Sequence, residues 1–220
     1  MRPAPESAEW HLVTGEFPPQ PGGVSDYVRG VAEGLALAGD RVHVWCPPAP
    51  GAAPDVPGVE VHRALGAMSP ADLRRAGRLL DGFPAPRRLL VQWVPHSFGW
   101  RTMNLAFCLW VWRRSARGDR VEVMVHEPYL PFSRASWKQS AVAAVHRVMA
   151  ATLLRAADRV WVSTPAWAAR WRRYRLGRRP PFAWIPIPSN VPVVADPGGA
   201  RELRARLLPG GGHLLGHFGT

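Results

Sequence analysis

Short apolar runs alternate with segments of helical period along the whole chain, and few folds satisfy that alternation. "WHLVTG" at residues 10–15 reads as a strand. Over residues 24–38, Tyr27, Val28, Val31, Leu35 and Ala38 recur at helical spacing, and Gly39 ends the helix. "RVHVWC" and "VEVHRA" are the next two strands. "SPADLRRAGRLLDG" opens with Ser69 as N-cap, Pro70 at the first helical position and Asp72 at the capping-box position. The strands "RLLVQWV" and "RVEVMVH" enclose an apolar helix at 103–116. A long helix at 136–156, the strand "RVWVS", a helix at 165–174 and the strand "FAWIPI" follow. The proline-rich "PIPSNVPVV" leaves the sheet as a linker, "GARELRARLL" is a short helix, and "HLLGHFGT" reads as a further strand. Alternation with continuous apolar strands predicts an α/β fold, a parallel sheet with helices on both faces. Ligands in such folds bind at the carboxyl ends of the strands.

The 24 prolines and 21 glycines fall between the periodic segments and act as punctuation. "MRPAPESAE" lacks the apolar stretch of a signal peptide, so a cytoplasmic location is expected. The longest apolar run, at 105–112, is far short of the roughly 20 residues of a spanning helix. Cys46 and Cys108 are expected as two buried thiols. The net charge of +12 is almost all arginine, and much of it lies between Arg147 and Arg179, as in "RWRRYRLGRR". That stretch is either a solvated basic face or a contact with an anionic membrane surface. No nucleic-acid partner is expected, because no helix-turn-helix, zinc or RNP-type pattern accompanies the charge.

Three loops at strand ends carry the candidate chemistry. In "FPPQPGGVSDY", Gly22 and Gly23 allow close backbone approach and positive φ, and the following helix aims its free N–H groups at the same place. A tight strand–helix turn with no ligand is the alternative. A dinucleotide site is excluded: G-x-G-x-x-G is absent, and the second strand ends in Cys46-Pro47-Pro48 without an acid. In "MVHEPYLPF", His126 and Glu127 follow an apolar strand, where an imidazole can bond a substrate hydroxyl or act near a developing charge. In "VQWVPHSFGWRTMN", Gln92, His96 and Asn104 stand beside Trp93, Phe98 and Trp100, a mixture that suits sugar rings and their hydroxyls. Core tryptophans with capping polar groups are the alternative, strongest for Trp93. His43, His62 and His96 are scattered, with no H-x-x-x-H or C-x-x-C, so no metal site is expected. Neither G-x-S-x-G nor a Walker loop is present.

Taken together, these stretches resemble GT-B glycosyltransferases of family 4. "EFPPQPGGVSDYVRGVAEGLALAGDRVHVWCP" resembles their opening, "VQWVPHSFGW" a "QY.PH.F" segment of one branch, and "VMVHEPY" their "HE" loop. "ADRVWVSTPAWAARW" resembles their "AD.V" strand–helix unit, and "IPIPSNVPVV" and "LLGHFGT" the linker and first strand of their second domain. The resemblance implies two Rossmann-like domains, of which this chain holds the N-terminal half. Residues 1–9 are expected as a disordered N-terminus and 10–188 as the acceptor-binding domain. Residues 189–212 are expected as linker and short helix, and 213–220 as the first strand of a donor-binding domain otherwise missing from the chain. By resemblance the activity is retaining hexosyl transfer from a nucleotide-sugar donor, bound through the missing domain, to a sugar or lipid-linked acceptor, with no metal or other cofactor. His126 would be catalytic, Gly22 and Gly23 would line the cleft near the donor phosphates, and His96, Trp100, Glu127 and Tyr129 would meet the acceptor. Half an enzyme should not turn over alone. The reading left beside it is a non-catalytic Rossmann-like module docking on an anionic membrane or a partner through the arginine-rich face.

Overall fold

A computed structural model describes residues 7–52, 55–190 and 195–216. The chain divides into two compact units, Met1–Pro188 and Ser189–Thr220. In the first, seven strands form one parallel sheet: β1 (Glu9–Thr14), β2 (Arg41–Trp45), β3 (Val59–His62), β4 (Arg88–Trp93), β5 (Arg120–Val125), β6 (Arg159–Val162) and β7 (Phe182–Trp184). Their spatial order is β3-β2-β1-β4-β5-β6-β7. The helices are α1 (Gly23–Leu37), α2 (Pro70–Leu80), α3 (Leu105–Ala116), α4 (Trp137–Ala156) and α5 (Pro165–Arg172). This is the Rossmann-like α/β architecture expected from the alternating pattern.

The order explains the layers. The chain steps one way from β1 to β3, then returns past β1 and continues the other way from β4. Right-handed crossovers put helices on opposite faces for opposite directions of travel. Accordingly Val28 and Ala32 of α1 pack with Leu12, Val42 and Val44. On the other side α2 to α5 bury Leu73, Phe107, Leu153 and Trp171 with Val13, Leu89, Val91, Val123 and Val160. Cys46 and Cys108 are buried free thiols. The reversal makes the β1–β4 junction a switch point, where loops part and a crevice opens.

Local signals set the ends of the elements. Ser69 and Asp72 form the full capping box on α2, with Pro70 in the first turn. β7 is shorter than "FAWIPI", and α5 ends two residues before Tyr174. The sheet starts at Glu9, with the Ala8 N–H donating to Asp40 Oδ1 at 2.8 Å. In the second unit α6 (Pro197–Leu207) is capped by the Asp196 side chain. Residues 213–216 have no regular structure, and the rest of the expected strand lies outside the described residues. Among the described residues no helix is long and apolar enough to cross a membrane.

A buried ion network closes the amino end of the sheet. Arg114 Nε donates to Asp119 Oδ2 at 2.6 Å and its Nη1 to Asp81 Oδ1 at 2.5 Å; Arg87 Nη1 donates to Asp119 Oδ1 at 3.2 Å. Arg114 and Asp119 are 2% and 3% exposed. Removing one partner strands a buried charge, so Asp119→Ala should cost about 3–5 kcal/mol in urea unfolding. A loss below about 1 kcal/mol would show that the network adds no more than a surface pair.

Candidate substrate cleft

Loops after β1, β4 and β5 meet at the switch point. A Cβ on Gly15, just past β1, would lie 2.3 Å from the Ser97 carbonyl oxygen in the loop after β4. Only glycine lets these two backbones touch. Beside them lies a cleft of about 450 Å³. Glu16, Gly23, Val24 and Tyr27 line it from one side, Val94, His96 and Ser97 from the next loop, and His126, Glu127 and Ile187 complete it.

The diglycine bend works differently from the expectation. Gly22, the N-cap of α1, is extended at φ 161° and ψ 148°, so no left-handed backbone is used. The missing side chain instead makes room for Glu16, whose Oε1 would lie 2.7 Å from a Cβ on Gly22. That oxygen accepts the Ser25 N–H at 3.1 Å, placing a carboxylate at the positive end of α1. Gly23 and Val24, whose N–H groups fall outside the intrahelical ladder, both line the cleft. A Cβ on Gly23 would meet nothing within 4 Å.

His126 is half-buried and fixed through its backbone. Its N–H donates to the Trp93 carbonyl at 3.0 Å, and its carbonyl accepts from Ser163 Oγ and Trp167 Nε1, both at 3.2 Å. The ring meets Tyr27 edge-on at 4.8 Å, and Nε2 lies 2.9 Å from Gln92 Oε1. An amide oxygen accepts, so Nε2 carries the proton and Nδ1 is the acceptor nitrogen. Burial lowers the pKa to about 4. At neutral pH the ring is therefore uncharged, fit to hold a hydroxyl.

His96 and Glu127 also line a second hollow of about 260 Å³, together with Tyr129, Trp167 and Arg170. His96 Nε2 and Glu127 Oε2 are 3.8 Å apart. Tyr129 lines only this second hollow, edge-on to Tyr174 at 5.5 Å and under the Arg147 guanidinium at 4.4 Å. Trp100 lines neither hollow and is 55% exposed. Asn104 is structural: Oδ1 accepts the Phe107 N–H at 2.9 Å to cap α3, and Nδ2 donates to the Met68 and Phe98 carbonyls. Of the expected residues, Gly23, His96, His126 and Glu127 thus share one cleft, Gly22 backs it against Glu16, and Tyr129 and Trp100 lie outside it.

Glu16, Tyr27 and His146 were not singled out from the sequence as site residues. Buried His146 holds the strained segment where Trp100, Arg101 and Thr102 have φ of 53°, 50° and 71°. Its Nε2 lies 2.8 Å from the Thr102 carbonyl, while Nδ1 accepts the Leu130 N–H at 3.3 Å. Many arginines of the basic stretch stack on rings of the chain itself. Arg147 lies 3.8 Å over Phe132, Arg170 4.9 Å over Trp167, and Arg172 and Arg175 each 5.1 Å over Phe182.

Fold and cleft together define a Rossmann-like domain whose switch-point cleft is lined by the first turn of α1, the His126 imidazole and the carboxylates of Glu16 and Glu127. Residues 22–188 match the family described as Glycosyl transferase 4-like domain, and the chain belongs to that family. No curated protein shows significant sequence similarity to it. Among solved structures it is similar to sucrose-phosphate synthase from Thermosynechococcus elongatus, with a TM-score of 0.64 and 17% identity. That match covers 91% of this chain and 52% of the other, so the chain spans about half the length of its structural relative. A second structure of sucrose-phosphate synthase from the same organism has a TM-score of 0.49 and 17% identity, covering 83% of this chain and 90% of that one.

The buried imidazoles predict an acid-sensitive fold. His126 has a pKa of about 4, and His11 of about 3, lowered by burial and then by His43, His62, Arg87 and Arg114. Unfolded imidazoles titrate near 6.5, at about pH 4–6.5 the unfolded chain binds more protons, and stability falls as pH drops through that window. Urea midpoints should decrease from about pH 7 to about pH 5, less steeply in His126→Asn. Equal midpoints across that range would contradict the buried neutral state.

Proposed function

We propose that this chain is the acceptor-binding half of a retaining glycosyltransferase. The activity is transfer of a hexosyl group from a nucleotide-sugar donor to a sugar or lipid-linked acceptor. One observation carries the reading: first-turn residues of α1, the neutral His126 ring and the His96–Glu127 pair border a single hollow at the switch point of a domain in this family. In this reading His126 Nδ1 accepts a hydroxyl of the transferring sugar. A neutral ring suits that place, because the sugar carbon gains positive charge as its bond to phosphate breaks, and an imidazolium would oppose it. In the Gly22–Gly23 bend, Gly23 leaves open space beside the donor phosphates, and Gly22 keeps room for Glu16 behind it. His96 and Glu127 meet the acceptor, with Tyr129 and Trp100 further from the reacting carbon. The bond to the acceptor oxygen forms as the bond to phosphate breaks, and the acceptor proton leaves with the diphosphate. The nucleotide belongs to a second Rossmann-like domain outside these 220 residues, and no metal takes part in transfer.

A second reading concerns where the acceptor lies. Phe132 and Trp137 are 58% and 77% exposed, beside exposed Arg134 and Lys138. Rings flanked by cations suit peripheral contact with an anionic membrane, here at its cytoplasmic face, where a lipid-linked acceptor would be within reach.

In the full-length enzyme, His126→Ala should lower kcat by about 10²-fold while circular dichroism stays native. Near-normal turnover would remove His126 from the reaction. For the membrane reading, the chain should cosediment with phosphatidylglycerol vesicles at low salt, release at high salt, and bind less when Phe132 and Trp137 are both alanine. Failure to sediment at low salt would dismiss it.

A further inference from the structure

A second polar cluster lies at the sheet edge formed by β2 and β3. These strands run parallel with His43 opposite Glu60 and Trp45 opposite His62. Alternate strand residues share a face, so pairing gathers His43, Glu60 and His62 on one side of the sheet. Suitable ligand atoms of the three all lie within 4.8 Å of one another.

The spacings are informative. His43 Nδ1 lies 3.1 Å from His62 Nε2 and 3.3 Å from Glu60 Oε2, and His62 Nε2 lies 3.5 Å from Glu60 Oε1. Ligands held tetrahedrally at 2.0–2.1 Å from Zn²⁺ stand about 3.3–3.4 Å apart. The His43–His62 separation falls just below that edge, and each imidazole has one Glu60 oxygen near it, Oε2 for His43 and Oε1 for His62, so a small turn of the carboxylate would set a single oxygen against both. Two imidazole nitrogens facing each other can share only one proton, whereas a cation among them accepts a lone pair from each.

The surroundings support the ligand roles. His43 Nε2 lies 3.3 Å from Glu9 Oε1, and Arg41 Nη2 holds the same oxygen at 3.2 Å. A carboxylate on the far nitrogen fixes the tautomer and leaves Nδ1 as the ligand. The His62 ring stacks on Trp45 at 4.2 Å, which holds its plane and so the direction in which Nε2 faces His43. Beside His43 and Glu60 is a hollow of about 610 Å³, bordered by Glu9, Arg41 and Val59 at the strands' amino ends. It therefore opens at the rim opposite the strands' carboxyl ends.

We propose that His43 Nδ1, His62 Nε2 and a Glu60 carboxylate oxygen bind one divalent first-row metal ion, with Zn²⁺ the best match to two imidazoles and a carboxylate, and with water from the hollow in the fourth position. The ion ties edge strand β3 to β2, its one neighbour in the sheet. It stabilises the domain and takes no part in the cleft.

The test uses the untagged chain, stripped with chelator and dialysed. Calorimetric titration with Zn²⁺ should give one site per chain, Co²⁺ should give the intense visible bands of four-coordination, and Zn²⁺ should raise the melting temperature. Glu60→Gln and His62→Gln should each abolish the one-site isotherm, Glu9→Gln should weaken it about 10–100-fold, and His213→Gln should leave it unchanged. Glu60 is exposed, so its variant keeps the fold, which circular dichroism verifies. No saturable Zn²⁺ site in the parent chain, or an unaltered isotherm in Glu60→Gln and His62→Gln, would overturn the proposal.

Discussion

The hydrogen-bonded ladder between β1 and β4 is the joint on which the cleft depends. It pairs Trp10 with Arg88 and runs in register to Thr14 opposite Gln92. Because the chain runs from these two parallel strands to helices on opposite faces of the sheet, their loops part immediately beyond Thr14 and Trp93. Gly15 lets the loops touch once more at Ser97 before they diverge. The same ladder places Gln92 at its last rung, and β4–β5 pairing continues to Trp93 opposite Val125. His126, one residue later, then finds the Gln92 amide at 2.9 Å. A slip of one residue in either ladder would turn Gln92 to the other face and leave the imidazole without its partner.

The state of His126 follows from that position. Its carbonyl is tied to Ser163 and Trp167, and the half-buried ring sits between Tyr27 and Gln92. Desolvation then has nothing to offset it, because the ring's bonded partner is a neutral amide oxygen. A carboxylate in place of Gln92 would favour the imidazolium. Pairing with an amide fixes the tautomer without adding charge. Glu16 acts in the same economical way at the other wall, satisfying an orphan amide of α1 while excluding a side chain from position 22.

Local features were legible in the sequence and distant ones were not. The capping box of α2 and the apolar period of α1 are complete within a few residues, and the alternating runs carried the sheet and its rim. The role of Glu16 requires the chain to fold back nine residues onto Ser25, which no spacing rule encodes. Asn104 stayed open between two roles, because an amide near aromatics looks the same whether it faces a sugar or caps a helix, and it caps α3. The histidines at 43 and 62 look scattered until parallel pairing aligns them. The signal was present as H-x-W in one strand and E-x-H in the next, but register cannot be read from either strand alone. Arginine does both things at once: Arg170, Arg172 and Arg173 are exposed on a basic face, while the guanidinium groups of Arg147, Arg170 and Arg172 also sit over rings of the chain itself.

That last point bears on how charge would be divided in the proposed reaction. The described residues lining the cleft include two carboxylates, Glu16 and Glu127, and no arginine or lysine. A diphosphate set against this wall would find amide dipoles and open space but no full positive charge. Glu16 already uses the Ser25 amide and lowers the potential at the mouth of α1. Such a wall suits the sugar end of a donor, where positive charge develops, better than its phosphate end. The proposed reading therefore requires the groups that neutralise the departing diphosphate to lie on the opposite, nucleotide-holding domain. Cleavage of the sugar–phosphate bond would then wait on closure of the two halves, because only closure brings both signs of charge to the reacting bond.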